Sequence, residues 1–320
     1  VVASLLDSPH GLVLGGEKCK ATIMFTDLRG FTALSSRLDP KEVVAFLNHY
    51  LEIMVKIILG HYGTIIELLG DGILVIFGAP IQRADDAERA VACAVAMQAA
   101  MPVVNAPLQA AGFPALEMGI GIHTGEVVVG HIGSSQRTKY GAVGNPINLA
   151  GRIESYTVGG QILISEVTQA EVRELVQIKQ ILQVEPKGVQ QPIVLYDVVG
   201  IIGNYAQCLP VQKEELHPLA QPLAVRFNIV EEKFSDRTGF PGQLVQLSRK
   251  EAVLQLTNAL QLLSNLKIKL TTGPGPALDD ELFVKVIRCL DTNPYTYLVH
   301  FTSIPLSFTT MFRALLEEGA

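Results

Sequence analysis

Asp27 closes the apolar run Ile23-Met24-Phe25-Thr26, and Asp71 follows the run Ile65-Ile66-Glu67-Leu68-Leu69-Gly70. Each run has strand length and leads into glycine, so each carboxylate falls where a strand ends and the backbone turns. Two strand-end carboxylates on neighbouring strands can share hard cations such as magnesium, which take oxygen ligands and leave room for phosphates. The chemistry this implies is metal-assisted phosphoryl transfer. Either aspartate alone would read as a turn residue; their companions favour the metal site. Asn148 and Arg152 lie four apart in a helical pattern opened by Pro146, hence on one helix face. An exposed arginine there is ordinarily a solvated charge. The asparagine one turn before it is a poor helix former and calls for another reason to be there.

The elements that must position these residues alternate along the chain. Residues 20–26 read as a buried strand. Asp39-Pro40-Lys41-Glu42 reads as a helix start, with an N-cap acid, a first-turn proline and a capping-box glutamate. That helix is expected to run to about residue 59, with Val43, Phe46, Leu47, Tyr50 and Met54 on one face. Residues 64–68 and 73–77 pattern as strands around a tight Gly70-Asp71-Gly72 turn. Asp85 or Asp86 opens an alanine-rich helix expected to stop by Pro102. Residues 118–123 and 126–131 pattern as two strands bracketing Thr124-Gly125, and Pro146 begins a helix through Tyr156. Residues 161–165 and 195–199 supply the last strands. Alternation with frequent hairpins gives an α+β domain with a mixed or largely antiparallel sheet.

Four segments in order carry a family resemblance: Phe25-Thr26-Asp27-Leu28-Arg29-Gly30-Phe31-Thr32, Gly70-Asp71-Gly72, Gly121-Ile122-His123-Thr124-Gly125 and Gly144-Asn145-Pro146-Ile147-Asn148-Leu149-Ala150-Gly151-Arg152. Together they resemble the class III nucleotidyl cyclases, over residues 17–199. The resemblance implies a ferredoxin-like catalytic domain in which Asp27 and Asp71, with Leu28 beside them, hold two Mg2+ or Mn2+ ions per active site. One ion would activate the ribose 3′-oxygen and the other hold the triphosphate. The segment through Gly30, Phe31 and Thr32 would bind the nucleotide, its backbone N–H groups cradling phosphate where the chain turns into a helix. Phe31 there is either core packing or a wall of the site. Asn148 would orient the ribose, Arg152 would stabilise charge on the α-phosphate, and Lys187 in Pro186-Lys187-Gly188 would match the family's mobile phosphate-binding lysine. The relatives' second lysine is Val189 here, and the arginine they often carry just before the Ile-Gly-Ile-His strand is Gly119.

The base follows from donors and acceptors. Three residues before the Gly70-Asp71 turn, adenylyl cyclases carry a lysine that donates to the adenine ring; here the residue is Glu67. A carboxylate only accepts, and guanine presents two donors where adenine presents an acceptor. The second selector position, three residues before Gly144, is Gly141, which offers adenine's amino group no side-chain acceptor. GTP is therefore expected over the alternative, ATP; a further alternative is a catalytically silent nucleotide-binding regulator. The family places metal and transition-state residues across a dimer interface. One chain holds both sets here, so a head-to-tail homodimer is expected.

A chain of 320 residues with 48% hydrophobic content suits two domains. Residues 1–16 are expected to be an N-terminal linker, 17–200 the catalytic domain, 201–217 a linker and 218–320 a second domain. In that tail, residues 223–229, 243–247, 252–256, 266–270, 282–287 and 297–301 pattern as strands and 308–318 as a closing helix, which suggests a small antiparallel β-barrel. Arg226 and the stretch Gln243–Ala252 loosely resemble a PilZ barrel. Only Ser248 of its ligand turn is kept, with Gln246 and Glu251 in place of Asp and Gly and with Val230 and Glu231 in the entry segment. An interaction or regulatory module is expected. The formal charge of −6 with no Lys/Arg cluster argues against a nucleic-acid surface. No window offers eighteen uncharged apolar residues, so no transmembrane segment is expected. Cys19, Cys93, Cys208 and Cys289 form no CxxC pair, which with the lack of a signal-peptide pattern suggests the cytoplasm. The chain begins at Val1 and reads as a fragment whose upstream regulatory domain is missing.

Overall fold

A computed structural model of the chain describes residues 15–113, 115–134, 136–184, 192–210, 215–230, 239–271 and 280–318. The chain forms two compact units, Val1–Val211 and Gln212–Ala320. The first is built on a mixed sheet of β1 (Gly15–Arg29), β2 (Thr64–Leu69), β3 (Gly72–Phe77), β4 (Glu117–Gly133), β5 (Thr138–Val143), β6 (Ile162–Ser165), β7 (Val176–Val184), β8 (Ile193–Ile201) and β9 (Gln207–Cys208). The strand order is β2-β3-β1-β4-β6-β8-β7, with β5 on β4 and β9 on β8. β4 and β6 pair parallel, and the other pairings are antiparallel.

The helices are α1 (Phe31–Ser35), α2 (Pro40–Gly60), α3 (Asp86–Ala110), α4 (Asn145–Tyr156) and α5 (Glu166–Val172). α2 and α3 cover one sheet face, where Tyr50, Met54, Ile58 and Met97 pack with Met24, Phe77, Ile120 and Ile122. α4 covers the other, its Ala150 and Ile147 against Ala21, Ile23, Ile76 and Val127. Burial on both faces explains why β1 and β3 read as unbroken apolar runs. The capping box forms as expected: Asp39 accepts from the Lys41 amide at 2.9 Å, and Glu42 accepts from the Asp39 amide at 3.1 Å.

Two expectations need correction. Thr124-Gly125 is no turn: β4 runs straight through it, because β1 pairs with β4 continuously from Gly15↔His131 to Arg29↔Glu117. α3 does not stop at Pro102 but continues past Pro107 to Ala110. Each proline removes one helical N–H, yet this last stretch is held by its buried face. Val104 and Leu108 lie in the core, and the Asn105 amide both donates to the Leu116 carbonyl and accepts from the Leu116 amide, each at 2.8 Å. Both α2 and α3 are long and apolar enough, by length and composition, to match a membrane span, although Glu52 and Lys56 interrupt α2 and Gln98 and Pro102 interrupt α3. Of the most apolar window in α3, 61% is buried within the fold, and of that in α2, 22%.

The chain after β8 stays with the first unit as far as Leu209. The Ile202 amide donates to the Leu175 carbonyl at 2.7 Å and the Leu209 amide to the Val199 carbonyl at 2.7 Å. The second unit is a closed barrel of β10 (His217–Ile229), β11 (Phe240–Leu247), β12 (Glu251–Leu256), β13 (Asn265–Leu270), β14 (Leu282–Thr292) and β15 (Tyr295–Ser303), in the order β10-β11-β12-β15-β14-β13. Closure leaves no free sheet edge. α6 (Leu306–Glu318) adds Phe308 and Phe312 to the barrel core, Phe312 tilted against Phe301 with ring centroids 5.4 Å apart.

Candidate active site

The sheet register brings the two aspartates together. Pairing of β1 with β3 ends at Thr26↔Ile73, so Asp27 comes level with the two-residue Gly70-Asp71 turn between β2 and β3. Gly70 makes that turn with a left-handed φ of 69°, which only glycine adopts without strain. The two carboxyl groups lie close enough that each perturbs the other's titration, and the Leu28 amide donates to Asp71 Oδ2 at 3.3 Å. Partial burial and the neighbouring Asp27 push the Asp71 carboxyl up to about 6, against the pull of the Leu28 amide. Burial also raises Asp27, which the Arg29 guanidinium offsets. A partly desolvated pair of neighbouring like charges is a site that a cation relieves.

Among the described residues no cluster of three or more His, Cys, Asp or Glu side chains could hold a metal. The oxygen donors placed here are the two carboxylates, to which the Leu28 carbonyl would add another. That fits Mg2+ or Mn2+, which complete their shells with water and substrate phosphates. It does not fit zinc, which wants nitrogen or sulfur donors.

Gly30 has φ 80° and opens α1. Phe31 turns inward, 9% exposed, and stacks on Phe46 with ring centroids 6.3 Å apart; of its two expected roles it fills the packing one. Thr32 is exposed beside it. Asn148 and Arg152 lie together on the exposed face of α4, while Ala150 and Ile153 face the sheet. α4 lies so close that a Cβ on Gly121 would fall on the Glu154 backbone, and one on Gly125 would come within 2.6 Å of Pro146 Cγ. The two glycines of Gly121-Ile122-His123-Thr124-Gly125 therefore set the depth of the helix that carries Asn148 and Arg152. Among the described residues no hydrogen bond or ion pair joins either of these to Asp27 or Asp71. Lys187 lies outside the described residues.

Glu67 and Gly141 belong to one neighbourhood. Although β3, β1 and β4 separate β2 from β5 in the sheet, Lys139 on β5 reaches back to pair with Glu67 at 2.8 Å. Gly141 lies two residues beyond Lys139 on the same strand. Sequence reasoning singled out neither Lys139 nor Arg29, whose guanidinium donates to Asp27 Oδ2 at 2.9 Å. Arg29 had a signal: two residues after Asp27 on a strand, it shares that residue's face. Lys139 had none.

This fold and site define a class III nucleotidyl cyclase domain. The Adenylate and Guanylate cyclase catalytic domain family matches residues 16–199, and the chain belongs to that family. Adenylate cyclase 1 of Rhizobium meliloti (strain 1021) is 34% identical over 185 residues, covering 57% of this chain and 28% of that protein. The chain thus spans less than a third of that relative's length. Among solved structures, the guanylyl cyclase Cya2 is 52% identical with a TM-score of 0.60, over 62% of this chain and all of that one. The adenylyl cyclase CyaB from P. aeruginosa is 37% identical with a TM-score of 0.56, over 58% of this chain and 96% of that one.

Proposed function

We propose that the chain is a guanylyl cyclase, converting GTP to 3′,5′-cyclic GMP and pyrophosphate at the interface of a head-to-tail homodimer. The observation that carries the choice of base is Glu67, an acceptor where an adenine site needs a donor. The 52% identity to a guanylyl cyclase supports it. In the reaction the ribose 3′-oxygen attacks the α-phosphorus, pyrophosphate leaves, and the 3′ proton passes to water. Bound Mg2+ or Mn2+ would supply Lewis-acid activation of the 3′-oxygen and charge neutralisation at the phosphates. Asp27, Asp71 and the Leu28 backbone would hold the ions. Gly30 and Thr32 would present backbone N–H groups to phosphate, Asn148 would fix the ribose, and Arg152 would offset charge at the α-phosphate, a contribution of about 3 kcal/mol to the barrier.

The dimer is supported by the exposure of Asn148 and Arg152 on the outer face of α4, where they are open to a partner subunit. Exposed apolar residues also lie on the strands that carry the Glu67–Lys139 pair: Leu68 and Leu69 follow Glu67 on β2, and Val143 on β5 stands opposite Val128 of β4. Such residues suit a protein interface. One observation favours the adenylyl alternative. Lys139 puts an ammonium donor against Glu67, and so could satisfy the carboxylate while offering adenine the donor it needs.

Purified chain with Mn2+, offered GTP and ATP separately, decides between them. Cyclic AMP as the only product would overturn the guanylyl reading, and nucleotide binding without either product would favour the silent regulator. Glu67→Lys should lower kcat/KM for GTP by about 100-fold or more while leaving metal affinity near wild type. An unchanged preference for GTP would show that the selector lies elsewhere.

A further inference from the structure

Arg29 occupies a place where the two halves of the catalytic machinery meet. Its guanidinium is largely buried, the side chain 15% exposed. Nη1 donates to Asp27 Oδ2 at 2.9 Å. Nη2 points the other way and donates to the Glu154 carbonyl at 3.0 Å, Glu154 Oε1 at 2.5 Å and Thr157 Oγ1 at 2.6 Å. Glu154 and Thr157 form the last turn and C-cap of α4, the helix that carries Asn148 and Arg152. The guanidinium lies across Gly119, the register partner of Asp27. A Cβ at Gly119 would come within 2.5 Å of Nη2. The arginine expected at that position from the family is thus replaced by one delivered from β1.

We infer that Arg29 is a positioning residue for both halves at once, holding the Asp27 carboxylate in rotation and the last turn of α4 in depth. The inference rests on the cyclase reading above. With Oδ2 engaged by Arg29, Asp27 Oδ1 is left 3.7 Å from where a Cβ on Gly72 would lie, beside the turn that carries Asp71, where a shared cation would sit. Carboxylate ligands depend on such outer partners for their orientation. At the other end the same group fixes the turn that follows Arg152, and small displacements of a transition-state group are costly. A planar fork presents donors to two acceptors from two separate nitrogens in fixed geometry, whereas an ammonium presents all its donors from one nitrogen. In a head-to-tail dimer, Asp27 serves its own subunit's metal site while α4 completes the partner's. One guanidinium would therefore serve two active sites.

Two variants and two readouts test this. Arg29→Met keeps length and removes the fork; Thr157→Val keeps shape and removes the hydroxyl that accepts from Arg29 and donates to the Glu154 carbonyl. Mn2+ binding to the nucleotide-free protein, followed by electron paramagnetic resonance, should weaken about 10–100-fold in Arg29→Met and stay near wild type in Thr157→Val, whose loss should appear in kcat. The second readout is activity after mixing inactive subunits. Asp27→Ala mixed with Arg152→Ala rebuilds one intact site per heterodimer. Arg29→Met mixed with Arg152→Ala rebuilds the same metal half but brings an α4 that has lost its anchor, and should give about tenfold less product. Equal product from the two mixtures would overturn the role at α4, and unchanged Mn2+ affinity would overturn the role at Asp27. If Arg29→Met does not fold, an unchanged kcat in Thr157→Val overturns the α4 role by itself. Arg29→Lys should retain Mn2+ affinity better than Met and still lose kcat, whereas full activity in it would overturn the two-sided role. A wild-type chain that forms neither cyclic GMP nor cyclic AMP overturns the cyclase reading instead, and the Mn2+ measurements still decide the role at Asp27.

Discussion

Asp71 sits where chemistry and stability pull in opposite directions. Burial and the facing Asp27 raise its carboxyl to about 6 from an ordinary 3.8. The folded chain therefore binds more protons than the unfolded one between those values, so without metal its stability falls as pH rises from about 4 to about 6. Asp71→Asn removes the repulsion. In the presence of chelator at pH 7 it should raise the melting temperature, by about 2–4 °C for each kcal/mol relieved, and it should abolish cyclic nucleotide formation. The stabilisation should disappear below pH 4, where the Asp71 carboxyl is protonated; a variant no more stable than wild type at pH 7 would argue against the strained pair. Both aspartates were legible in the sequence from residue type and strand-end position. Arg29 and Lys139 gained their meaning from acceptors 125 and 72 residues away, a separation that no local pattern spans.

At the level of elements, β4 organises the site more than any other strand. It carries the glycines that admit α4, and it carries His123, which joins a buried chain of side chains. His123 Nδ1 lies 2.8 Å from Ser165 Oγ, Ser165 contacts Thr168, Thr168 contacts Thr124, and Thr124 contacts Thr22. This chain ties β4 to β1, β6 and α5. Burial lowers His123 from 6.5 to about 4, so the unfolded state binds the extra proton between those values. Stability from this group is present above about 6.5 and is lost as pH falls toward about 4. His123→Gln, which can still reach Ser165, should flatten the fall in melting temperature over that window; identical pH slopes for the two proteins would remove His123 from the account. The capping box of α2 and the Gly70-Asp71 hairpin were legible because their determinants are local. The continuity of β4 through Thr124-Gly125, and of α3 through Pro102, was not, because long-range pairing and burial overrode local turn and breaker signals.

On the scale of the molecule, each of the two units has its own apolar core. The barrel keeps little of a ligand turn. Ser248 is buried and accepts from the Lys250 and Glu251 amides at 3.2 and 2.8 Å, and Arg226 donates to the Gly239 carbonyl at 3.0 Å. Both are used locally, which suits the proposal of an interaction or regulatory module. Since the sheet, α2–α5 and the segment to Leu209 form the first unit, a chain ending at Pro210 should fold and retain cyclase activity within about threefold, consistent with domains that fold as independent units. Loss of activity with the truncated chain still folded by circular dichroism would make the barrel part of the catalytic assembly.

The sequence by itself determined the family, the α+β class of the first unit, the barrel in the tail and the pair of acidic residues. These follow from apolar periodicity, turn residues and short motifs whose chemistry is local. Only the tertiary structure decided that Asp27 and Asp71 share a desolvated site, that Asn148 and Arg152 face outward on a helix seated against glycines, that Phe31 packs inward, and that Glu67 is already paired with Lys139. Each of these is a contact between segments far apart in the chain, and the strand register that creates them is specified by burial on both faces of the sheet rather than by neighbours in sequence.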